Sequence, residues 1–263
     1  MKKQLLAVCV AILAITTSQV SAQLFSSDLN GDGSGWTIVE NGDTSHTFQF
    51  DYSALGIPSA PNGDGTVGVR LASNLTSDDP GGGSAIAISP GIDVTGQYTV
   101  QYDFWLNYHI NGSTEEGGGA VGYDAADGAP LSGVGFRANT DGDSGTDYRL
   151  YAGGSTLAID SGAYAIPSLN HSADTNTALQ AAFPPQTAPE AQGTGYTNTL
   201  GGLAFQWHTM LVDVDTAAGT ANFSVDGFDF GTVSASADDL SGDISLVHTD
   251  PFGSVAGDVE LAF

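Results

Sequence analysis

Hydrophobic and polar residues alternate in short runs along most of the chain, and the runs end at Gly, Asp, Asn or Pro. Because successive side chains of a strand point to opposite faces of a sheet, this pattern predicts β-strands with one buried face. The longest run is Gln97–Tyr108, in which every second residue is aromatic or aliphatic. Almost no segment has helical periodicity, so the predicted fold class is all-β. The other predicted strands are Trp36–Val39, Ser45–Tyr52, Thr66–Ser73, Ser84–Ser89, Val134–Ala138, Asp147–Ala152, Gln206–Asp215, Thr220–Asp226, Phe228–Val233, Asp243–His248 and Val259–Phe263.

Residues 160–202 interrupt the alternation with Pro residues among Ser, Thr, Asn and Ala. A loop of this length within a compact domain is uncommon and is usually functional or disordered. Within it, Thr175–Phe183 predicts one or two helical turns, stopped by Pro184 and Pro185. Two interpretations stay open: a lid or groove wall, and a solvated insertion packed over the sandwich. We predict one domain, residues 23–263, with this segment as its long insertion loop.

Residues 1–22 are typical of a secretory signal peptide. Lys2 and Lys3 precede the apolar run Leu5–Ile15, which is too short to span a bilayer, and an A-x-A-like cleavage site ends at Ala22. The chain after the leader has no cysteine, and a domain of this length builds a core without disulfides. We therefore expect a secreted or cell-surface protein with no integral membrane segment after signal cleavage.

The chain contains 30 Asp and Glu but only 5 Lys and Arg, which gives a formal net charge of -25. Nucleic-acid phosphates and anionic lipids are bound by clustered Lys and Arg. The charge balance therefore excludes nucleic acid as a partner and argues against adhesion to anionic membranes. Most carboxylates fall at predicted turns and strand ends, which is typical of a solvated surface.

The segment Trp207–Gly227 reads W-H-x-x-x-V-x-V-D-x-x-x-G-x-x-x-F-x-V-D-G. This run resembles a recurrent strand, turn and strand of the concanavalin A-like lectin/glucanase and laminin-G-like jelly roll, and Gly31–Gly42 resembles the first strand of such modules. The resemblance implies a two-sheet antiparallel jelly-roll sandwich. It implies no particular chemistry, because unrelated activities share that fold.

Three other stretches are similar to secreted proteins of planctomycete-type bacteria: Asp51–Asn62, Asp147–Tyr151 and His248–Ser254. Many of those proteins continue into a short membrane-sorting tail of the PEP-CTERM type. The present sequence ends at Phe263 without such a tail. A truncated chain and a released protein both stay open.

The carboxylates of the chain do not form a recognised catalytic motif. Glycoside hydrolases on this jelly roll carry paired carboxylates in a Glu-x-Asp-x-x-Glu strand, and no Glu of this chain has that spacing. Asp213 and Asp215 share a strand face, but a turn follows at once, so we interpret them as solvated strand-end residues. The run Gly117–Gly119 is interpreted as turn or loop glycines. The chain is predicted to be noncatalytic, with a diverged polysaccharide-active enzyme as an alternative.

Sugar recognition calls for an aromatic face with polar side chains beside it, because the ring stacks on the sugar while Asp and Asn bind hydroxyls. Trp105 points away from the apolar row of Gln97–Tyr108 and lies near Asp103, Asn107 and His109. These four residues form the predicted ligand-binding site. The alternative is that this face packs under the long insertion.

Calcium is the candidate cofactor, because oxygen ligands at alternate positions suit this ion. The alternatives for the two such clusters are an Asx-rich turn before the first strand and a polar hairpin loop. The predicted function is a secreted, noncatalytic module that binds extracellular glycan or matrix with the help of calcium, and the alternative is a structural envelope protein without a small ligand. The two clusters are Asp28, Asn30 and Asp32, and Asp141, Asp143 and Asp147.

Overall fold

A computed structural model describes residues 23–75, 83–107, 115–139, 145–170, 172–192, 195–251 and 261–262. The predicted leader, residues 1–22, lies outside these ranges. No helix within them is long and apolar enough to cross a membrane. The strands are β1 (Thr37–Asn41), β2 (Thr44–Asp51), β3 (Val67–Ser73), β4 (Ser84–Ser89), β5 (Gln97–Leu106), β6 (Glu116–Tyr123), β7 (Val134–Asn139), β8 (Tyr148–Ala152), β9 (Ser155–Thr156), β10 (Trp207–Asp215), β11 (Thr220–Val225), β12 (Phe228–Ser234), β13 (Asp243–Asp250) and β14 (Leu261–Ala262).

The strands form two seven-stranded sheets. Sheet 1 has the order β1-β4-β13-β6-β7-β8-β9, and sheet 2 has the order β12-β11-β10-β5-β14-β3-β2. Neighbouring strands pair antiparallel throughout both sheets. The chain passes repeatedly between the sheets, and their inner faces enclose the main core. The predicted fold class, an all-β two-sheet antiparallel jelly-roll sandwich, is confirmed.

The core forms because the alternation places one row of each strand between the sheets. In β5 this row includes Phe104 and Leu106, and β10 beside it contributes Met210 and Val212. Each buried aliphatic or aromatic side chain stabilises the fold by about 1.5–3 kcal/mol relative to exposure. Sheet 1 contributes Ile86, Ile88, Val121, Phe136, Leu150 and Leu246 to the same core.

Strand β6 corrects the interpretation of Gly117–Gly119 as turn glycines, because they lie in mid-strand between β13 and β7. A Cβ atom on Gly118 would lie 2.0 Å from the carbonyl oxygen of Phe136. A Cβ atom on Gly119 would lie 2.5 Å from the carbonyl oxygen of Ser245. The close approach of the neighbouring backbones therefore requires glycine at these positions. Because glycine has no side chain, the sequence shows no hydrophobic alternation there and did not predict the strand.

The Trp207–Gly227 segment forms the β10–β11 hairpin and the turn into β12. Asp226 and Gly227 both have positive φ, at 51° and 79°, as the two central positions of a type I′ turn require. The Asp226 carboxylate lies 2.6 Å from Nδ1 of the buried His208 and accepts the Thr209 amide at 2.8 Å. Burial opposes ionisation, yet these hydrogen bonds hold the pKa of Asp226 below its ordinary value. The motif therefore specifies the turn and ties it to β10.

The described residues of the long insertion pack along one side of the sandwich. Asn176 caps the helix α1 (Thr177–Ala182), and its side-chain oxygen accepts the Ala178 and Leu179 amides at 3.0 and 3.2 Å. The predicted short helix is thus confirmed. The ring of Phe183, which follows α1, stacks on Phe230 at 6.1 Å between ring centroids. Phe183 and the other buried apolar residues of the insertion therefore belong to the core between the sheets, and many of its remaining residues are exposed. Its 3₁₀ turns are Ala173–Thr175 and Glu190–Gln192, and two more lie elsewhere in the described part of the chain, at Tyr52–Leu55 and Ala125–Asp127.

Replacing Gly231 with Ala is expected to release the insertion from β12. A Cβ atom at Gly231, whose φ is 143°, would lie 2.1 Å from the Ala163 carbonyl oxygen, which accepts the Thr232 amide at 2.8 Å. The overpacking should cost about 1–3 kcal/mol and lower Tm by about 2–10 °C. Thermal melts and limited proteolysis of residues 160–202 measure this. The control is Gly31→Ala, since no atom lies within 4 Å of a Cβ there; equal melts for both variants would contradict the prediction.

Candidate functional site

The structure corrects the prediction of Trp105 as an exposed aromatic platform. Trp105 is only 4% exposed, and its ring packs edge-on against Trp207 at 5.9 Å. Its Nε1 donates to Oδ1 of the buried Asn107 at 2.9 Å. Nε2 of Gln192, in the insertion, donates to the same oxygen at 3.2 Å. The insertion therefore covers this face, so Trp105 and Asn107 have no open surface for stacking. His109 lies outside the described residues.

Asp103 fixes the loop 60–67 by hydrogen bonds to Asn62. It lies half-buried on the outer face of sheet 2 and accepts the backbone amide and the side-chain amide of Asn62 at 2.7 and 2.8 Å. The Thr209 hydroxyl donates to the same carboxylate at 2.7 Å. Tyr52 fixes the other side of this loop, because its hydroxyl donates to the Gly65 carbonyl at 2.8 Å. Of the predicted glycan-binding residues, Asp103 thus lies beside an open feature of the surface.

That feature is a cleft of about 600 Å³, which we call the Asp64 cleft. This volume falls within the range of small-molecule sites. One wall is the segment before β1, with Asp28 and Asn30, and the other is the loop 60–67 held by Asp103. Gln49 of β2 and the buried Tyr52 form the remaining surface. The cleft therefore brings part of the first predicted calcium cluster next to the loop that Asp103 positions.

Two non-glycine residues at the Asp64 cleft have left-handed backbone. Gln49 has a φ of 58° at a β-bulge of β2, and Leu29, between Asp28 and Asn30, has a φ of 57°. Such a conformation costs on the order of 1–3 kcal/mol per residue, and it is concentrated at functional sites. The bulge interrupts the ladder of β2 and places the exposed Gln49 in the lining of the cleft.

The electrostatics of the Asp64 cleft are acidic. Asp28 and Asp64 line it, and Asp51 and Asp103 lie behind it. Burial, together with the charges of Asp103 and Asp51, raises the pKa of the Tyr52 phenol, so at neutral pH this hydroxyl stays a donor to Gly65. Carboxylate and amide oxygens accept hydrogen bonds from hydroxyl groups, and the side-chain amides also donate. The cleft is therefore suited to a neutral polyhydroxylated ligand.

The first predicted calcium cluster is engaged by its own turn. An Asp28 oxygen accepts the Asn30 amide at 3.4 Å, and an Asp32 oxygen accepts the Ser34 amide at 2.9 Å. These are the contacts of the Asx-rich turn that was the alternative interpretation. In the described ranges, no group of three or more His, Cys, Asp or Glu side chains is placed to hold a metal ion. In the structure these carboxylates serve the turn, and calcium binding there stays a prediction.

In the second predicted calcium cluster, Asp141 and Asp143 lie outside the described residues. Asp147 is fully buried, and its carboxylate accepts the backbone amide of Ala173 in the insertion. A buried carboxylate bonded in this way anchors the insertion to the start of β8. Asp147 therefore serves as a structural anchor, and calcium binding by the second cluster stays a prediction.

Asp213 and Asp215 are strand-end residues, as interpreted from the sequence. Asp213 accepts the Thr99 hydroxyl at 2.7 Å, and Asp215 accepts the Gln97 side-chain amide at 2.6 Å. The hydrogen bond from Gln97, with that of the Ala218 amide, lowers the pKa of Asp215. A general acid in glycoside hydrolysis needs a raised pKa, so this pair is not suited to that role.

Three lining residues of the Asp64 cleft carried no recognisable signal in the sequence: Gln49, Tyr52 and Asp64. Gln49 and Tyr52 lie in or beside a predicted strand, whose alternation does not show a bulge. Asp64 is flanked by Gly63 and Gly65, and this turn-forming composition indicated a loop without showing its neighbours. The site is thus assembled by tertiary contacts between distant segments.

No protein-family model matches the chain, and a search of curated proteins finds no match. Similar solved structures include the carbohydrate-binding module CBM66 from Bacillus subtilis, with 12% identity over 87% of this chain and 91% of that chain and a TM-score of 0.40. A β-glucanase from Bacillus licheniformis has 12% identity over 89% and 92% and a TM-score of 0.42. The metal-free Emp46p carbohydrate recognition domain has 10% identity over 90% and 89% and a TM-score of 0.42. At such TM-scores the likeness carries no argument about function, and the resemblance to planctomycete proteins stays a prediction.

Proposed function

We propose that this protein is a noncatalytic glycan-binding module and that the Asp64 cleft is its sugar site. The observation that carries the proposal is the convergence of Asp28, Asn30, Gln49 and Asp64 on one cleft of about 600 Å³. One of its walls, the loop 60–67, is already fixed at two points, by the bonds of Asp103 to Asn62 and of Tyr52 to Gly65. A fixed site loses little conformational entropy when a ligand binds.

The chemistry of the Asp64 cleft favours neutral sugars over acidic sugars. Its carboxylates can each accept hydrogen bonds from two or more sugar hydroxyls, and charge-assisted bonds of this kind are stronger than neutral ones. A uronate or sulfated sugar would meet Asp28 and Asp64 at close range, with Asp51 and Asp103 behind them. Because the whole chain has a net charge of -25, the long-range field disfavours acidic glycans as well.

The proposed setting is extracellular. Residues 1–22 have the composition of a secretory leader, and the remaining chain has no cysteine and an acidic surface. A neutral glycan of an envelope or matrix is the partner that fits this setting and the chemistry of the cleft. Assistance by calcium stays a prediction, and in the structure Asp28 and Asp32 accept the backbone amides of their own turn.

Substitutions at the Asp64 cleft should weaken glycan binding without unfolding the protein. Asp64→Asn removes a carboxylate charge and Gln49→Ala removes a side-chain amide, both at exposed positions. We expect affinity to fall about tenfold or more in each variant, the equivalent of about one hydrogen bond to the ligand. A glycan array, run in calcium and in EDTA, identifies the ligand, and titration calorimetry with that ligand measures the affinities. Thermal melts of each variant check that the fold is intact.

The matched control is Asp160→Asn, which makes the same charge change at an exposed position in the insertion. It should bind like the parent protein. Equal affinity in all three variants would show that the sugar does not bind in the Asp64 cleft. An array without any signal would overturn the proposed glycan-binding function itself. Loss of array signal in EDTA would support calcium assistance.

A further inference from the structure

Three aromatic rings follow one another at β2, the edge strand of sheet 2. The ring of Phe25 contacts Trp36 at 6.2 Å between centroids, and Trp36 contacts Phe48 at 6.1 Å. The angles between the ring planes are 67° and 53°, so the rings are inclined to one another and do not cover each other's faces by stacking. Phe25 is 38% exposed, and Trp36 and Phe48 are partly buried. We call these three residues the aromatic row.

The aromatic row is fixed to the edge of the sandwich at one end. The Trp36 amide donates to the Gly33 carbonyl at 3.0 Å, which closes a turn before β1. A Cβ atom on Gly33 would lie 2.5 Å from Cδ2 of Phe48, so the backbone of this turn lies directly on the Phe48 ring. Trp36 and Phe48 also pack against the main core. The row is therefore anchored at Phe48 and Trp36 and open at Phe25.

The aromatic row and the Asp64 cleft are built from the same two segments of the chain. Phe48 directly precedes Gln49, which lines the cleft, so their Cα atoms are about 3.8 Å apart. Phe25 precedes Asp28, in the other wall of the cleft, by three residues, which limits their Cα separation to about 11 Å. The row therefore adjoins the cleft, and one ligand of several units can contact both.

The surroundings of the aromatic row suit a sugar better than a protein partner. His46 lies 6.0 Å from Phe48 between ring centroids, and its Nδ1 lies 3.0 Å from a Glu40 carboxylate oxygen, so polar groups border the rings. A stable protein interface buries about 800 Å² on each partner, which is far more than the exposed apolar surface at this edge provides. In the described part of the chain, the large hydrophobic side chains that are exposed are Leu24, Phe25, Ile166 and Leu200.

We propose that the aromatic row extends the Asp64 cleft, so that the complete site binds a neutral oligosaccharide of several units rather than a single sugar. This inference rests on the proposed function of the cleft. One sugar unit binds the polar side chains of the cleft, and a neighbouring unit stacks on Phe25 and Trp36, because aromatic faces pack against the C–H surface of a sugar ring. The carboxylates thus select for neutral units, and the rings select for chain length.

The test compares the binding of short and long chains. Affinity gels containing soluble β-glucan, xylan, galactomannan or dextran, beside the glycan array, identify the neutral glycans that bind, and calorimetry then uses the monosaccharide and hexasaccharide of each. The parent protein should bind the hexasaccharide at least about tenfold more tightly than the monosaccharide. Phe25→Ala should weaken hexasaccharide binding about threefold to tenfold, the equivalent of one stacking contact, and leave monosaccharide binding unchanged. Asp64→Asn should weaken the binding of both.

Leu24→Ala is the matched control, because it removes a still more exposed apolar side chain beside Phe25 that has no ring. This variant should bind the hexasaccharide like the parent protein, and Phe25→Tyr, which keeps the ring, should do so as well. Thermal melts check that each variant is folded.

The outcomes separate this inference from the proposed function. If Phe25→Ala binds the hexasaccharide like the parent protein while Asp64→Asn does not, the extension is overturned and the cleft remains the sugar site. An equal loss in Leu24→Ala and Phe25→Ala also overturns it, because the contact would then be apolar in general. A loss in Phe25→Ala without any loss in Asp64→Asn overturns the role of the cleft. No binding in the gels or on the array overturns both proposals.

Discussion

Glu116→Gln is expected to lower the free energy of unfolding by about 3–5 kcal/mol, because it removes the carboxylate that pairs with both the buried Arg137 and the mostly buried Arg149. The Glu116 side chain is 1% exposed, and those of Arg137 and Arg149 are 7% and 13% exposed. Water cannot replace the lost charge without opening the sheet face. Urea unfolding measures the effect, and the midpoint should fall by about 1–2 M at an m-value of about 3 kcal/mol per M.

Glu190→Gln is the control for the Glu116 prediction, since Glu190 is exposed in the insertion. Its midpoint should stay at that of the parent protein. A triple variant with Met at positions 116, 137 and 149 should recover most of the loss, because apolar residues of similar volume often replace a buried ion cluster at little cost. If Glu116→Gln unfolds at the parent midpoint, the guanidiniums are solvated and the cluster is not buried as described.

The sandwich could be predicted from the sequence because its central strands expose one face and bury the other. Gln97–Tyr108 and Gln206–Asp215 alternate over many residues, and they became β5 and β10 in the middle of sheet 2. The sequence also indicated the turn at Asp226–Gly227, because few residue pairs adopt positive φ at two successive positions. Strands and turns could thus be predicted where neighbouring residues in the sequence determine the backbone conformation.

The predictions were wrong where contacts between segments distant in the sequence determine the conformation or the burial of a residue. Gly117–Gly119 resembles a loop, but the close approach of β7 and β13 makes glycine the residue that fits in β6. Trp105 has the pattern of an exposed residue, and the insertion and Trp207 bury it. The Asp64 cleft joins segments near residues 28, 49 and 64, and no spacing in the sequence relates them.

Acidification from pH 6.5 to pH 4 is expected to destabilise the folded protein through His248. This side chain is fully buried on β13, and burial lowers its pKa from 6.5 to about 3. Its Nδ1 lies 2.8 Å from the Ser73 hydroxyl. In this pH range the unfolded chain binds a proton at His248 and the folded chain does not, so stability is complete above pH 6.5 and falls as the pH decreases toward 3. By pH 4 the loss amounts to about 3 kcal/mol.

His248→Asn isolates this contribution from that of the carboxylates. The variant should lose stability at pH 7.5, because the imidazole packing is gone, and its urea midpoint should then fall less steeply with pH than that of the parent protein. His46→Asn is the control for loss of an imidazole, since His46 is partly exposed beside Glu40, and its urea midpoint at pH 7.5 should stay near that of the parent protein. NMR of the imidazole gives the direct reading: His248 should stay neutral at pH 4, and titration near pH 6.5 would contradict a buried neutral histidine between the sheets.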